Sequence, residues 1–193
     1  MKKLAFVSAA MMLAGTASYA GDYNEVSFFN DAVLNSTLSQ TVPSDLIKWK
    51  VGDTMNYNIG MMFGNVGTMV KSVTKDEGTA IWMRQDMNMM GQKEVVDVLL
   101  NKADGKVLKM LRNGQEQQIP DEQIEIISQD YSEVTVPAGK FSCMYVVAKS
   151  KSSSKIEVWI NPKDTIMDGT LKQAMASQMG TVTLELTSFK AGQ

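Results

Sequence analysis

The sequence predicts a mainly β fold: a long curved antiparallel sheet, a half-open barrel, led by one N-terminal helix. Three observations carry this. From about Lys50 onward apolar and polar residues alternate with a period of two, the signature of half-buried strands. Glycine-containing turn signals separate the alternating stretches at short intervals. All four prolines (Pro43, Pro120, Pro137, Pro162) fall between those stretches, where a missing N–H harms no ladder.

The elements follow in order. Met1-Lys2-Lys3, the apolar run Leu4 to Leu13 and the small residues around Ala17 and Ala20 read as a secretory signal over residues 1–20, cut after Ala20. The run is too short to span a bilayer, and no cysteine stands near the cut to take a lipid anchor. Residues 21–48 form a helical lead. Asp22 and Glu25 have the spacing of a capping box, and Val26, Phe29, Val33 and Leu34 recur at helical steps, so a helix is expected from Asp22 to about Leu38. Ser44 caps a second short turn through Trp49.

Residues 49–193 are the β domain. In its first strand Met55, Tyr57, Ile59, Met61 and Phe63 are apolar, while Thr54, Asn56 and Asn58 between them are polar. Phe63-Gly64-Asn65 reads as a turn, Val66 to Thr74 as the next strand, and Asp76-Glu77-Gly78 as its end. Ile81, Met83, Met87 and Met89 share a face, interrupted by Gln85. After Gly91, Val96, Val98 and Leu100 align within Glu94 to Asn101. Asp104-Gly105 and Asn113-Gly114 supply positive φ cheaply and bracket a short strand, Lys106 to Arg112. Asp121 to Ile127 reads as a turn of helix or an irregular connector. Strands resume at Tyr131 to Val136 and, after the corner Val136-Pro137-Ala138-Gly139, at Phe141 to Lys149. Ser150 to Ser154 reads as a solvated hairpin tip. Ile156, Val158 and Ile160 alternate until Asn161-Pro162, and Thr170 to Gln178 is a mixed strand. From Gly180, Val182, Leu184 and Leu186 face one way, and Thr181, Thr183, Glu185 and Thr187 the other. About ten strands, each with one apolar face, must hide that face. Two packed sheets would do so, and so would one sheet curved toward a barrel.

Composition excludes several functions. The formal net charge is −2, with scattered lysines. That leaves no electrostatic footprint for nucleic acid and no basic stripe for anionic lipid surfaces. No second long apolar run is present, so the chain is expected not to span a membrane. Histidine is absent, which removes Ser-His-Asp and Cys-His pairs and imidazole-based zinc sites. An enzyme is therefore the third-ranked reading, and no cofactor is expected. Cys143 is alone, so no internal disulfide forms. It shares a strand face with Phe141, Tyr145 and Val147 and is expected as a small buried apolar group. An oxidising compartment would still permit an intermolecular bridge.

Trp49-Lys50-Val51-Gly52-Asp53 before an alternating strand resembles the opening of a bacterial family of exported β-rich domains of unknown function. The corner Val136-Pro137-Ala138-Gly139-Lys140-Phe141, the strand with Trp159 and the closing Gly180 to Leu186 strand are similar to that family's second half. The likeness spans roughly Trp49 to Phe189. It implies a curved antiparallel sheet like the unclosed barrels of the periplasmic lipoprotein carriers, and it brings no catalytic residue. The carriers' inner arginine has no counterpart in Arg84, which lies opposite Ile81 and Met83.

The candidate ligand-lining set is Met55, Tyr57, Ile59, Met61, Ile81, Met83, Met87, Met89, Val182, Leu184 and Leu186. The chain holds 16 methionines. Thioethers adapt to flexible acyl chains, although simple core packing explains most apolar stripes. Met87-Asn88-Met89-Met90 could bind Cu(I), but Met90 points away from Met87 and Met89. Asp121, Glu122 and Glu125 read as solvated loop charge rather than a glycosidase pair. Trp82 and Trp159 lie on outer faces, which hints at a cover from the N-terminal helix or a partner. The expectation is a periplasmic or secreted, non-catalytic binding module for a hydrophobic small molecule or lipid. The alternative is an envelope scaffold acting through protein contacts.

Overall fold

The computed structural model describes residues 48–119, 124–151, 153–177 and 180–193. The expected signal (residues 1–20) and helix (Asp22 to Leu38) lie outside the described residues. So does the Ser44-led turn apart from its end, where Lys48 forms an isolated antiparallel bridge with Met167.

Eleven strands build one antiparallel sheet: β1 (Thr54–Met61), β2 (Gly64–Asp76), β3 (Ala80–Met89), β4 (Gln92–Asn101), β5 (Val107–Arg112), β6 (Gln115–Gln117), β7 (Glu125–Val136), β8 (Gly139–Lys149), β9 (Ile156–Ile160), β10 (Thr170–Ser177) and β11 (Gly180–Lys190). The order is β6-β5-β4-β3-β2-β1-β11-β10-β9-β8-β7. Two meanders, β1 to β6 and β7 to β11, are joined where the first strand pairs with the last. The sheet does not close, because β6 and β7 do not pair with each other. β7 nonetheless touches β10 and β11. Those strands lie three and four places away, about 14 to 19 Å across a flat sheet. That end of the sheet therefore bends back over its middle strands, and Ala138 at the β7–β8 tip donates its N–H to the Leu186 carbonyl (3.0 Å).

Turn chemistry sets the hairpins. Asn113 and Gly114 take φ of 50° and 80°, the left-handed pair that matches strand twist in a two-residue loop. Two elements differ from the sequence reading. Glu125 to Ile127 is the start of β7 rather than a connector, and β6 was not foreseen. Neither carries the alternation that marks a half-buried strand: β6 is the polar triplet Gln115-Glu116-Gln117, and the first seven residues of β7 are almost all exposed. Both are edges, where pairing on one side replaces burial. Phe63, where the alternation of β1 runs into the expected Phe63-Gly64-Asn65 turn, is exposed in the β1–β2 turn. The Ser150–Ser154 tip is not wholly solvated either: Ser153 is buried, and its hydroxyl bonds the Lys155 and Ala176 carbonyls (both 3.0 Å).

The core falls into two clusters. The larger joins β1 to β5 and β11 with the tip of the β7–β8 hairpin, the start of β10 and Met167, and includes Met55, Tyr57, Ile59, Ile81, Met83, Val98, Met110, Val136 and Leu186. The smaller is Val146, Ala148, Ile156, Val158, Ile160 and Met175. β8 serves both. Cys143 is buried in the larger cluster as expected, but its expected companions Tyr145 and Val147 are not; beyond Met144 the buried residues are Val146 and Ala148.

Candidate functional site

Directly opposed residues of neighbouring strands share one side of a sheet. The pairing Leu184↔Ile59, Leu186↔Tyr57, Tyr57↔Met69 and Met69↔Met87 runs one side from β11 to β3. Met83↔Val98 and Ile81↔Leu100 carry it on to β4. Nine of the eleven candidate lining residues are buried on that inner side: Met55, Tyr57, Ile59, Ile81, Met83, Met87, Val182, Leu184 and Leu186. Met61 and Met89 are partly buried against the same cluster. The set is thus brought together, but as packed core. Two hollows lie elsewhere, along β7 and β8. One of about 470 Å³ is lined by Ile124, Glu125, Lys149, Ser150 and Lys151. One of about 380 Å³ is lined by Tyr131, Ser132, Glu133, Ser142 and Cys143. Burial pushes the Cys143 thiol above its ordinary value.

The inner side is not wholly apolar. Lys71 of β2 stands between Met55 of β1 and Gln85 of β3 in register. It is 1% exposed, and its Nζ lies 3.0 Å from Oδ2 of Asp168, which is 4% exposed. The same ammonium sits 5.8 Å from the centre of the Tyr57 ring, a cation–π distance. The Tyr57 hydroxyl donates to the Thr170 carbonyl (2.9 Å), and Asp168 Oδ1 accepts from the Thr170 N–H (3.3 Å). Gln85 and Gln173 are buried on this side too. Sequence reasoning missed the group. Its signal was available: Met69-Lys71-Val73 puts a lysine in phase with two apolar neighbours.

Asp168 belongs to the β9–β10 connection, residues 161–169. This segment leaves the sheet beside β9 and reaches past β11 and β1 to meet β2. Asn161 is its hub. Its side-chain N–H groups donate to the Ser142 carbonyl (2.8 Å) and to Asp164 Oδ2 (2.7 Å), and its Oδ1 accepts from the Asp164 N–H (2.9 Å). The Asn161 N–H donates to the Gly169 carbonyl (2.8 Å). Met167 is fully buried at a left-handed φ of 52°, and Gly169 follows at 70°.

Several side chains that face outward by register find partners within the sheet. Trp159 lies 4.8 Å from the Tyr145 ring and 5.7 Å from Lys172 Nζ, and Trp82 donates to Glu77 Oε1 (3.0 Å). The cover expected over these tryptophans comes at least in part from neighbouring side chains of the same sheet. Arg84 also faces outward and grips Asp97 with two bonds (2.8 and 3.2 Å). Glu125 pairs with Lys149 (3.0 Å) on the outermost hairpin; Asp121 and Glu122 lie outside the described residues. Met87 is buried while Met90 is exposed at the hairpin turn, so Met87-Asn88-Met89-Met90 does not converge on one point.

No family model matches the chain, and no curated protein matches it. Solved structures do. A candidate lipoprotein from Parabacteroides distasonis is 13% identical with a TM-score of 0.39, covering 75% of this chain and 98% of that one. A candidate exported protein with a YmcC-like fold from Bacteroides fragilis is 12% identical with a TM-score of 0.42, over 75% and 98%. A hypothetical protein from Chlamydia trachomatis is 11% identical with a TM-score of 0.49, over 81% and 94%. At these levels none of them says what this chain does. Among the described residues no helix is long and apolar enough to cross a membrane.

Proposed function

We propose that the chain is an exported, non-catalytic binding module that takes an apolar or lipid-like ligand against the inner side of its curled sheet. One observation carries the reading. A continuous methionine-rich surface crosses β11, β1, β2 and β3, and thioether side chains repack around flexible chains at little cost. In this closed form the surface is covered, and opening would expose it. The β9–β10 connection and the β7–β8 tip are the parts that lie over it. N-phenyl-1-naphthylamine tests the reading: its fluorescence should rise on binding and fall when dodecanol displaces it. No rise at any protein concentration would remove the reading.

The second reading is an envelope scaffold working through protein contacts. It is favoured by the burial of the lining set and by β7, a twelve-residue terminal strand with Ile127 and Tyr131 exposed. Unpaired strand edges template pairing with another chain. Cross-linking through residues of β7 that returns no reproducible partner would count against it.

A further inference from the structure

Lys71 is the one buried cation among the described residues. A buried ion pair does little for stability that an apolar pair of the same volume would not do better. Its partner is not on the sheet. Asp168 comes from a connection that crosses the inner side, and that connection is wound through two left-handed residues. A Cβ at Gly169 would sit 2.2 Å from the Pro162 nitrogen. Conformations of this kind persist where the surroundings over-determine them, and they gather at clamps and switch segments.

We infer that Lys71 is the head-group site of the ligand surface, that the ligand is a single-chain amphiphile with an anionic carboxylate or phosphate head, and that Asp168 occupies the site as an internal substitute in the closed form. The role presupposes the ligand-binding reading above. An incoming anionic head would meet a cation already desolvated and already flanked by the Tyr57 ring, and would take the place of the Asp168 carboxylate. The released connection would then swing off the inner side. Along β2 and β3, Met69, Met83 and Met87 adjoin the site and would receive the chain. A charge-assisted bond to a carboxylate or phosphate is about twice as strong as a neutral one, so the head should dominate selectivity. Exchange requires no covalent step.

Titration of the whole protein with dodecanoate, dodecyl phosphate and dodecanol tests this. Both anions should bind at least about tenfold more tightly than the alcohol; which of the two is preferred identifies the head. Asp168→Asn, which removes the competing carboxylate, should tighten anion binding further and leave the alcohol unchanged. The double variant Lys71→Met with Asp168→Leu, which keeps the interior apolar, should erase the preference and still bind dodecanol. Equal binding of all three amphiphiles, or anion binding unmoved by Asp168→Asn, would overturn the head-group site while leaving the ligand-binding reading intact. Binding of none of them would remove both.

Discussion

At the residue scale the ion pair sets the clearest expectation. Lys71→Met alone strands the Asp168 carboxylate in the interior. Losing one member of a buried pair costs about 3–5 kcal/mol, read as a drop in the urea midpoint. Adding Asp168→Leu should recover most of that loss, because two packed apolar groups carry no desolvation penalty. Gly169→Ala should cost more than about 2 kcal/mol, since a side chain there meets both a left-handed φ and the backbone of Pro162. On the outer side Tyr145 donates to Glu157, and that bond pushes the phenol up to about 12. The Tyr145 bond also holds the Glu157 carboxyl below the usual carboxylate range. The phenol keeps its proton more tightly when folded. Its contribution is therefore full below the unfolded value of about 10 and is lost as pH rises toward about 12. The carboxylate's contribution is full above about pH 4.3 and drains as pH falls through its lowered value. Tyr145→Phe should flatten the alkaline limb of a urea-midpoint profile. An unchanged alkaline slope would show that the bond does not form.

At the element scale the hydrogen-bond ladder should grade outward. β1 and β11 are paired on both sides at the centre of the sheet, whereas β6 is a three-residue edge. Amides of β1 and β11 should exchange slowest, and those of β6 and the first half of β7 fastest. Uniform protection would contradict the order of strands. The same grading explains what sequence showed and what it hid. β1, β3 and β11 bury one side and expose the other, so their alternation was plain in Met55-Tyr57-Ile59 and Val182-Leu184-Leu186. β6 and early β7 bury almost nothing, so no periodicity marked them. β10 was hard to read for the opposite reason: Leu171, Gln173, Ala174 and Met175 are all buried, from both sides. In β4 Val96, Asp97 and Val98 keep the sequence alternation although all three are buried, because outward-facing Asp97 is paired by Arg84 of the neighbouring strand. The candidate surface was legible as a set of apolar residues. Its polar centre was not, because the partner of Lys71 lies 97 positions away on an irregular segment.

At the scale of the whole molecule, the account rests on a sheet that is long, unclosed and bent, so that one side becomes an interior. Such an interior serves equally as a plain core or as a closed binding surface. The two differ in whether the β9–β10 connection leaves when a ligand arrives. Opening should be visible as faster exchange of the Asn161 and Gly169 amides on addition of dodecanoate, with β1 unaffected. Most direct is native mass spectrometry of the protein drawn gently from its own host. The account predicts a fraction carrying an extra mass that organic extraction removes and dodecanoate restores. A single homogeneous apo mass that takes up neither dodecanoate nor dodecanol would contradict it.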